Sequence, residues 1–300
     1  RDLHSFPTRR SSDLLSILTR VRVVVALKSR YPLTVLLAIA GLARSTFYYH
    51  QARLGVPCKH AQLRQHIRQV FHAAKARYGH RRVRLALARL GIKVSKKLVA
   101  KLMAQEGLVC ITRPRRRYSS YRGGVSKIAP NVLNRQFHAE RPNQKWVSDV
   151  TEFRIAGVKV YLSPMIDVYD GKVIAATHAL HPTTKLTAAC LSKAIASERP
   201  EPGLIVHTDQ GMHYQHISWR TQLEAAKAIQ SMSRKGNCYD NSLAENFFSH
   251  LKAEFYHPQR FTSVQDFLTR LQDYLTWYNH HRIQERLKGL TPEEFRNQAR

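Results

Sequence analysis

Residues 203–209 read GLIVHTD, a short run without lysine, arginine or glutamate that closes on an aspartate. A run so brief and so apolar is of the kind that forms an inner parallel strand, covered on both faces. It lies between two stretches with helical patterning, residues 185–197 and 219–228. Ahead of them WVSDVTEF, VKVYLSPMIDVYD and GKVIAATHAL are three β-rich runs separated by glycine-containing turns, which reads as an antiparallel meander. After them IQSMS supplies a fifth strand. Strands, helix, strand, helix, strand specify an α/β fold with a mixed five-stranded sheet flanked by helices.

Three acids fall at telling places in this pattern. Asp149 lies inside WVSDVTEF, Asp209 ends GLIVHTD, and Glu245 lies in SLAENFFSHLKAEF. Sixty positions separate the two aspartates, and thirty-five residues lie between Asp209 and Glu245. In the last stretch Leu243, Phe247, Leu251 and Phe255 recur every four residues and form a core stripe. Asn241, Glu245, Ser249 and Lys252 then fall on the opposite side, so Glu245 is presented outward and Lys252 shares its face two turns on. Such a carboxylate and ammonium can share a metal-and-phosphate site, or they can simply be solvated, and the helix alone favours the second reading. Glu152 is a neighbouring acid, but strand alternation puts it on the other face from Asp149.

Charge separates the chain into two regions. Residues 15–145 carry 28 Lys and Arg against two acids, Glu106 and Glu140, a net of +26, whereas residues 146–300 carry 18 against 16, a net of +2. A histone-like protein would be basic throughout. This chain instead concentrates its positive field at the front, as expected when one region holds a polyanion and another does chemistry with carboxylates.

Within the basic region, residues 31–51 (YPLTVLLAIAGLARSTFYYHQ) give an apolar helix, a Gly-Leu break and a second helix that Ser45 can cap, which is helix-turn-helix punctuation or an ordinary helical hairpin. A second helical unit runs over residues 60–107. Its apolar positions include Leu63, Ile67, Val70, Phe71, Val83, Leu85, Leu87 and Leu90, and Ser95 caps KKLVAKLMAQEG, which stops at Gly107. Read as a second helix-turn-helix, it offers Lys96, Lys97 and Lys101 to DNA, and the scarcity of acids favours a phosphate-binding surface over a merely solvated one. TRPRRRYSSYRGGVSK, residues 112–127, carries Arg113, Arg115, Arg116 and Arg117 among tyrosines and glycines, and reads either as a linker that tracks a DNA backbone or as a basic spacer with no defined contact. The expected division is 15–55 and 58–110 for the two helical segments, 111–138 for the basic linker and 139–300 for the catalytic part.

At the C-terminal end, Phe267, Leu271, Tyr274, Leu275 and Tyr278 give a long amphipathic helix its inward face, after which His280, His281 and Arg282 can reach DNA. Cys58, Cys110, Cys190 and Cys238 are scattered with no CxxC pair, so reduced thiols and a cytoplasmic location are expected rather than disulfides or a cysteine zinc site. No stretch reaches eighteen uncharged apolar residues, so no membrane span is expected. Residues 1–14, RDLHSFPTRRSSDL, can be back-translated into one frame of a sequencing-library adapter and are expected to be an artefact, with the natural N-terminus lost or misassigned.

WVSDVTEF, HTDQGMHYQ and SMSRKGNCYDNSLAENFFSHLKAE, together with RYGHRRV, RSTFYYH and the ending WYNHHR…LKGLTPEEFRNQ, resemble the second-reading-frame transposases of insertion-sequence family three, in the retroviral-integrase superfamily. The resemblance covers roughly residues 31–298. It implies a ribonuclease-H-like integrase core behind an all-helical helix-turn-helix region, with the acidic triad on Asp149, Asp209 and Glu245. It further implies two Mg²⁺ ions, replaceable by Mn²⁺, held by those three acids around a scissile phosphate. Lys252 is expected to touch a phosphate near the scissile bond, and Arg234 and Lys235 to help hold the DNA end. Asn237 and Asn241 orient the intervening loop or simply turn it. The expected partners are double-stranded DNA at the element's terminal repeats and at the target, further copies of the chain, and the protein of the first reading frame. The competing expectations are a catalytically inert DNA-binding remnant or repressor of the element, and a nuclease of the same fold acting on RNA·DNA hybrids.

Overall fold

A computed structural model of the chain describes residues 16–54, 60–111, 129–234 and 238–299, with the side chains of 238 and 239 excepted. The chain divides into two compact units, one ending at Gln65 and one beginning at His66. Residues 1–14, Lys235, Asn237 and the arginines at 113, 115, 116 and 117 lie outside the described residues.

The first unit is helical. α1 (Ile17–Leu27) is capped by Ser16, whose Oγ accepts from the Thr19 amide at 3.2 Å. α2 (Leu33–Ala40) stops at Gly41, which takes the left-handed conformation at φ 61°. The expected Gly-Leu break is therefore present. α3 (Arg44–Leu54) starts two residues earlier than a Ser45 cap would place it, so Ser45 lies inside its first turn and does not cap it. Val21, Val24, Leu36, Leu37, Leu42 and Phe47 close the core of this unit. Along α2, Val35 and Ile39 remain exposed.

α4 (Ala61–Ala73) crosses the division at residue 65, and α5 (His80–Arg89) and α6 (Lys96–Gln105) follow. Ser95 caps α6 as expected, accepting from the Leu98 amide at 3.2 Å. Leu90 was read as an apolar position of the α5 pattern, but α5 ends at Arg89 and Leu90 is 60% exposed.

The sheet of the second unit holds β1 (Lys145–Ser148), β2 (Thr151–Ile155), β3 (Val158–Asp167), β4 (Val173–Ala179), β5 (Ile205–Thr208) and β6 (Ile229–Met232). They are ordered β2-β3-β1-β5-β6, with β4 on β3. The sixth strand arises because WVSDVTEF is split. β1 and β2 pair with β3 in one antiparallel register, and carrying that register through sets Asp149 opposite Pro164. Proline has no N–H to give the ladder, so the strand is interrupted where Asp149 sits. The β2–β3 hairpin turns on Ala156 and Gly157, both with positive φ, as a two-residue turn requires. β5 runs parallel to both β1 and β6, the inner position its composition called for.

α7 (Thr184–Glu198) and α9 (Ile217–Ala225) cover one face, where Trp146, Cys190, Leu191, Ala194, Trp219 and Leu223 pack together. On the other face lie α10 (Ser242–Leu251) and α11 (Val264–His280), which bury Phe247, Leu251, Phe267 and Tyr278 against Val147, Phe153 and Ile166. All five residues expected on the inner face of α11 are buried. α8 (Met212–Gln215) is a single turn after β5, and α12 (Pro292–Asn297) ends the chain behind a capping box from Thr291 and Glu294. Among the described residues no helix is long and apolar enough to cross a membrane, and Cys110 and Cys190 are free thiols.

Candidate active site

Strand register brings the two aspartates together. β1 and β5 are parallel neighbours in which Val147 faces His207, and two steps beyond the paired residues that same register matches Asp149 with Asp209. The sixty-residue spacing in sequence is the offset of this pairing, so two carboxylates far apart in the chain end adjacent strands at one level. Asp149 Oδ1 accepts from the Val150 amide at 2.7 Å, and Asp209 Oδ1 from the Gly211 amide at 2.9 Å.

Glu245 sits in the first turn of α10, where its charge suits the helix dipole, and it is exposed. The inward stripe of this helix is Ala244, Phe247, Phe248 and Leu251. After Leu251 the helix widens to a π turn over Lys252–Tyr256, with Phe255 and Glu254 buried. Lys252 Nζ lies 5.5 Å from the ring centre of Phe153, two positions along β2 on the face that carries Asp149.

Electrostatics tie these groups into one site. Burial, followed by the charges of Asp209 and Glu245, pushes the Asp149 carboxyl up to about 8, against the opposing pull of the Val150 amide and of Lys252. Tyr214, buried beneath the aspartates with its hydroxyl 3.2 Å from Ser148 Oγ, is held protonated mainly by burial and then by the charges of Asp149 and Asp209. Glu152 stands on the other face, paired with Lys159 at 3.1 Å and with Tyr161 at 2.8 Å.

The donors suit a hard divalent cation in kind, being carboxylates on adjacent strand ends. Space in front of one of them is kept by glycine: a Cβ on Gly211 would stand 2.9 Å from Asp209 Oδ1 and 2.8 Å from His213 Nε2. Among the described residues no three His, Cys, Asp or Glu side chains form a group that could hold one ion, and the charge of Glu245 acts on the Asp149 carboxyl.

Several supporting residues carried no periodic signal. His207 is buried between Ser231 Oγ (2.8 Å from Nδ1) and Ser233 Oγ (3.1 Å from Nε2), and burial holds it down at about 4, so it is neutral. Ser233 Oγ donates to the Thr208 carbonyl and Ser231 Oγ accepts from the Leu133 amide, an arrangement that assigns the ring proton to Nε2. This network ties β5 to β6 just before Asp209. Asn241 was grouped with the outward side chains, yet it is 5% exposed and donates to the Ser148 carbonyl, joining the start of α10 to the strand end beside Asp149. Asp240, which sequence reading passed over, accepts from Arg234 Nε at 2.9 Å and Nη2 at 3.0 Å, from Arg135 at 2.8 Å and from Asn131 at 2.9 Å. Arg234 before all others holds the Asp240 carboxyl far below the usual range. The guanidinium expected on a DNA end thus clasps the loop that leads into α10.

Lys96, Lys97 and Lys101 are exposed on α6, opposite Val99, Leu102 and Met103. Arg282, expected to reach DNA, is 2% exposed and forms a two-point ion pair with the buried Glu254 at 2.9 and 2.7 Å. The RYGHRRV segment joins the same hub: the Arg77 side chain donates to the Glu254 carbonyl at 3.1 Å and lies 4.3 Å from the Trp277 ring, Arg82 pairs with Glu254 at 3.4 Å, and Tyr78 donates to the His281 carbonyl at 2.8 Å.

Known proteins resemble this chain over most of its length. Integrase core domain families match residues 139–238 and 245–299, and an HTH-like domain family matches residues 44–117. A transposase ascribed to insertion sequence element IS150 of Escherichia coli is 41% identical over 279 residues, covering 93% of this chain and 98% of that protein. A transposase ascribed to IS1353 of Shigella flexneri is 41% identical over 280 residues, but this chain spans only 54% of its length. Among solved structures, a chain of the simian T-cell lymphotropic virus intasome in complex with PP2A regulatory subunit B56 gamma aligns with 71% of this chain and 70% of its own at 19% identity and a TM-score of 0.46.

Proposed function

We propose, because this chain belongs to the insertion-sequence transposases built on an integrase core domain, that it cleaves the 3′ ends of its own element and joins them to target DNA. The observation that supports this reading is the electrostatic grouping of Asp149, Asp209, Glu245 and Lys252 at one end of the sheet. Asp149, Asp209 and Glu245 are the residues that would hold magnesium, or manganese in its place, and two such ions would supply Lewis-acid polarisation of the scissile phosphate and of the attacking oxygen.

Two displacements make up the reaction. In the first, a water oxygen bonds to phosphorus, the bond from phosphorus to the 3′ oxygen breaks, and a 3′-hydroxyl is freed. In the second, that hydroxyl's oxygen bonds to a target phosphorus and displaces a target 3′ oxygen, while its proton passes through solvent to the leaving oxygen, which becomes a 3′-hydroxyl. Asp149 and Asp209 keep their carboxylates at one level because their strands are in register, and the Asn241 link fixes the helix that aims Glu245. Lys252 neutralises a phosphate oxygen at the same place, and His207, kept neutral, packs the strand end without adding charge. Lys96, Lys97 and Lys101 form a phosphate-binding face on α6, with the basic segment 112–127 tracking the backbone.

The chain acts on DNA in the bacterial cytoplasm, as more than one copy, beside or fused to the first-frame protein; the greater length of the Shigella relative supports a fused form. Labelled element ends incubated with the chain, target DNA and Mg²⁺ test the reading. Joined products are expected, and D149N, D209N and E245Q should each abolish them. Binding without joining points instead to an inert remnant or repressor, and cleavage of an RNA·DNA hybrid alone points to a nuclease. Full joining by any of the three variants refutes the assignment.

A further inference from the structure

A cavity of about 720 Å³ lies in the second unit between the N-terminus of α5, the flank of α10 that carries Asn246 and His250, and the segment 284–286. Its cationic side chains exceed its acids. Arg81 meets Glu285 at 3.4 Å, both well exposed, and Arg82 shares Glu254 with Arg282. Arg286 has no carboxylate within ion-pair distance among the described residues, and its Nε donates to Gln284 Oε1 at 3.1 Å. Its guanidinium lies against the backbone of Gly171, where a Cβ would stand 2.1 Å from Nη2, so glycine sets its direction. Gln284 is 7% exposed, and its Nε2 has no acceptor. The N-terminus of α5 adds to the demand for an anion. Gly79 caps it without a side chain, and no acid occupies its first turn.

The chemistry these donors share is recognition of a phosphate, and the position of the cavity selects its source. Asn246 and His250 lie on the flank of α10 next to the one that presents Glu245, about 100° round the helix for each residue step. DNA held at Glu245 must continue over one of the flanks of this helix. We propose that the cavity seats a phosphodiester of the DNA strand that runs to the carboxylate site, so that the seam between α5 and α10 is a second DNA contact beside the reacting phosphate. This rests on the DNA-transposing reading above.

The test is anisotropy of a labelled duplex carrying the element end, measured in EDTA over a series of salt concentrations, with the full chain and two variants. Arg286→Gln is expected to weaken binding about tenfold near 0.15 M salt and to reduce the slope of log affinity against log salt by about one. His80→Glu should weaken binding by a similar factor, yet an acid in the first turn favours the helix, so its melting temperature should hold or rise. That variant separates lost contact from lost fold. Affinity and slope unchanged in both variants, while the unaltered chain binds the duplex, would overturn the seam contact and leave the transposase reading in place. Stabilisation by inorganic phosphate that Arg286→Gln removes, with duplex binding unaffected, would make the cavity a free-anion site and overturn it equally. Failure of the unaltered chain to bind any duplex would sink the reading on which the proposal rests.

Discussion

The clearest consequence of crowding two carboxylates at one sheet end is that the site should oppose folding until a cation arrives, and D149N measures this. Asparagine keeps the shape of the side chain and still accepts from the Val150 amide through Oδ1, as the aspartate does at 2.7 Å. The Asp149 carboxyl titrates ordinarily near 3.8 and in the fold is pushed up to about 8. A carboxyl raised in this way contributes most below its unfolded value. The fold then loses stability as pH climbs from about 4 to about 8, and the loss is complete above that window. At pH 7 the accumulated loss spans about three pH units, a ceiling of about 4 kcal/mol. Asp149 is only half-buried, and solvent screening reduces the expected effect to roughly 1–2 kcal/mol. For a unit of this size that is about 3–6 °C. In EDTA at pH 7, thermal unfolding should therefore find D149N more stable than the unaltered chain, and the two should converge near pH 4. Millimolar Mg²⁺ should raise the melting temperature of the unaltered chain and leave that of D149N nearly still. Parallel stability curves from pH 4 to 9 in EDTA, or equal gains from Mg²⁺, would falsify the reasoning.

Three further outcomes follow from other contacts. G211A puts a methyl within 3 Å of Asp209 Oδ1 and His213 Nε2; calorimetric titration with Mn²⁺ should show affinity falling about tenfold at little loss of stability, and unchanged affinity would mean the space is not used. D240N removes the charge, and one of the two acceptor oxygens, that Arg234 and Arg135 share. Because the folded carboxyl titrates below its ordinary value, that contribution exists above about pH 4 and is lost as pH falls through the folded value. Urea unfolding should show D240N less stable by about 1–2 kcal/mol at pH 7, with the gap closing in acid, after discounting for the exposed arginines. E254Q leaves Arg282 buried with a weaker partner and should lose about 3–5 kcal/mol by the same assay, whereas E254Q/R282M, which also removes the buried Arg282 charge, should recover part of it, Arg82 still lacking its carboxylate.

How much of the site was legible can be judged from particular residues. Helical periodicity alone oriented Glu245 outward and Lys252 with it, since burying the phenylalanines of α10 fixes the rest of its circumference. Asp209 was legible as the end of an inner strand, whereas Asp149 was read inside a single strand that the fold divides. Their level match was not legible, because it depends on a parallel pairing between strands sixty residues apart. Arg282 and Asn241 were misjudged, and the Asp240 partner of Arg234 was missed, for a related reason. Each finds its partner across a loop or another element, with Glu254 lying twenty-eight residues before Arg282 and Ser148 ninety-three before Asn241. Such pairs leave no repeating pattern. An exposed arginine on DNA and a buried arginine on a carboxylate look alike in a one-dimensional string.

The amino-acid sequence by itself determined the layered α/β arrangement, the inner place of GLIVHTD and the positive field of the front region. Those follow from local apolar periodicity and from summed charge, which need no knowledge of distant neighbours. Tertiary structure alone decided that Pro164 interrupts the strand at Asp149, that Asp149 and Asp209 share one level, and that the RYGHRRV segment engages a Glu254–Arg282 hub. The physical reason is that strand register and buried ion pairs are settled by the packing of the whole unit, where a carboxylate removed from water must take whichever cation the fold brings to it.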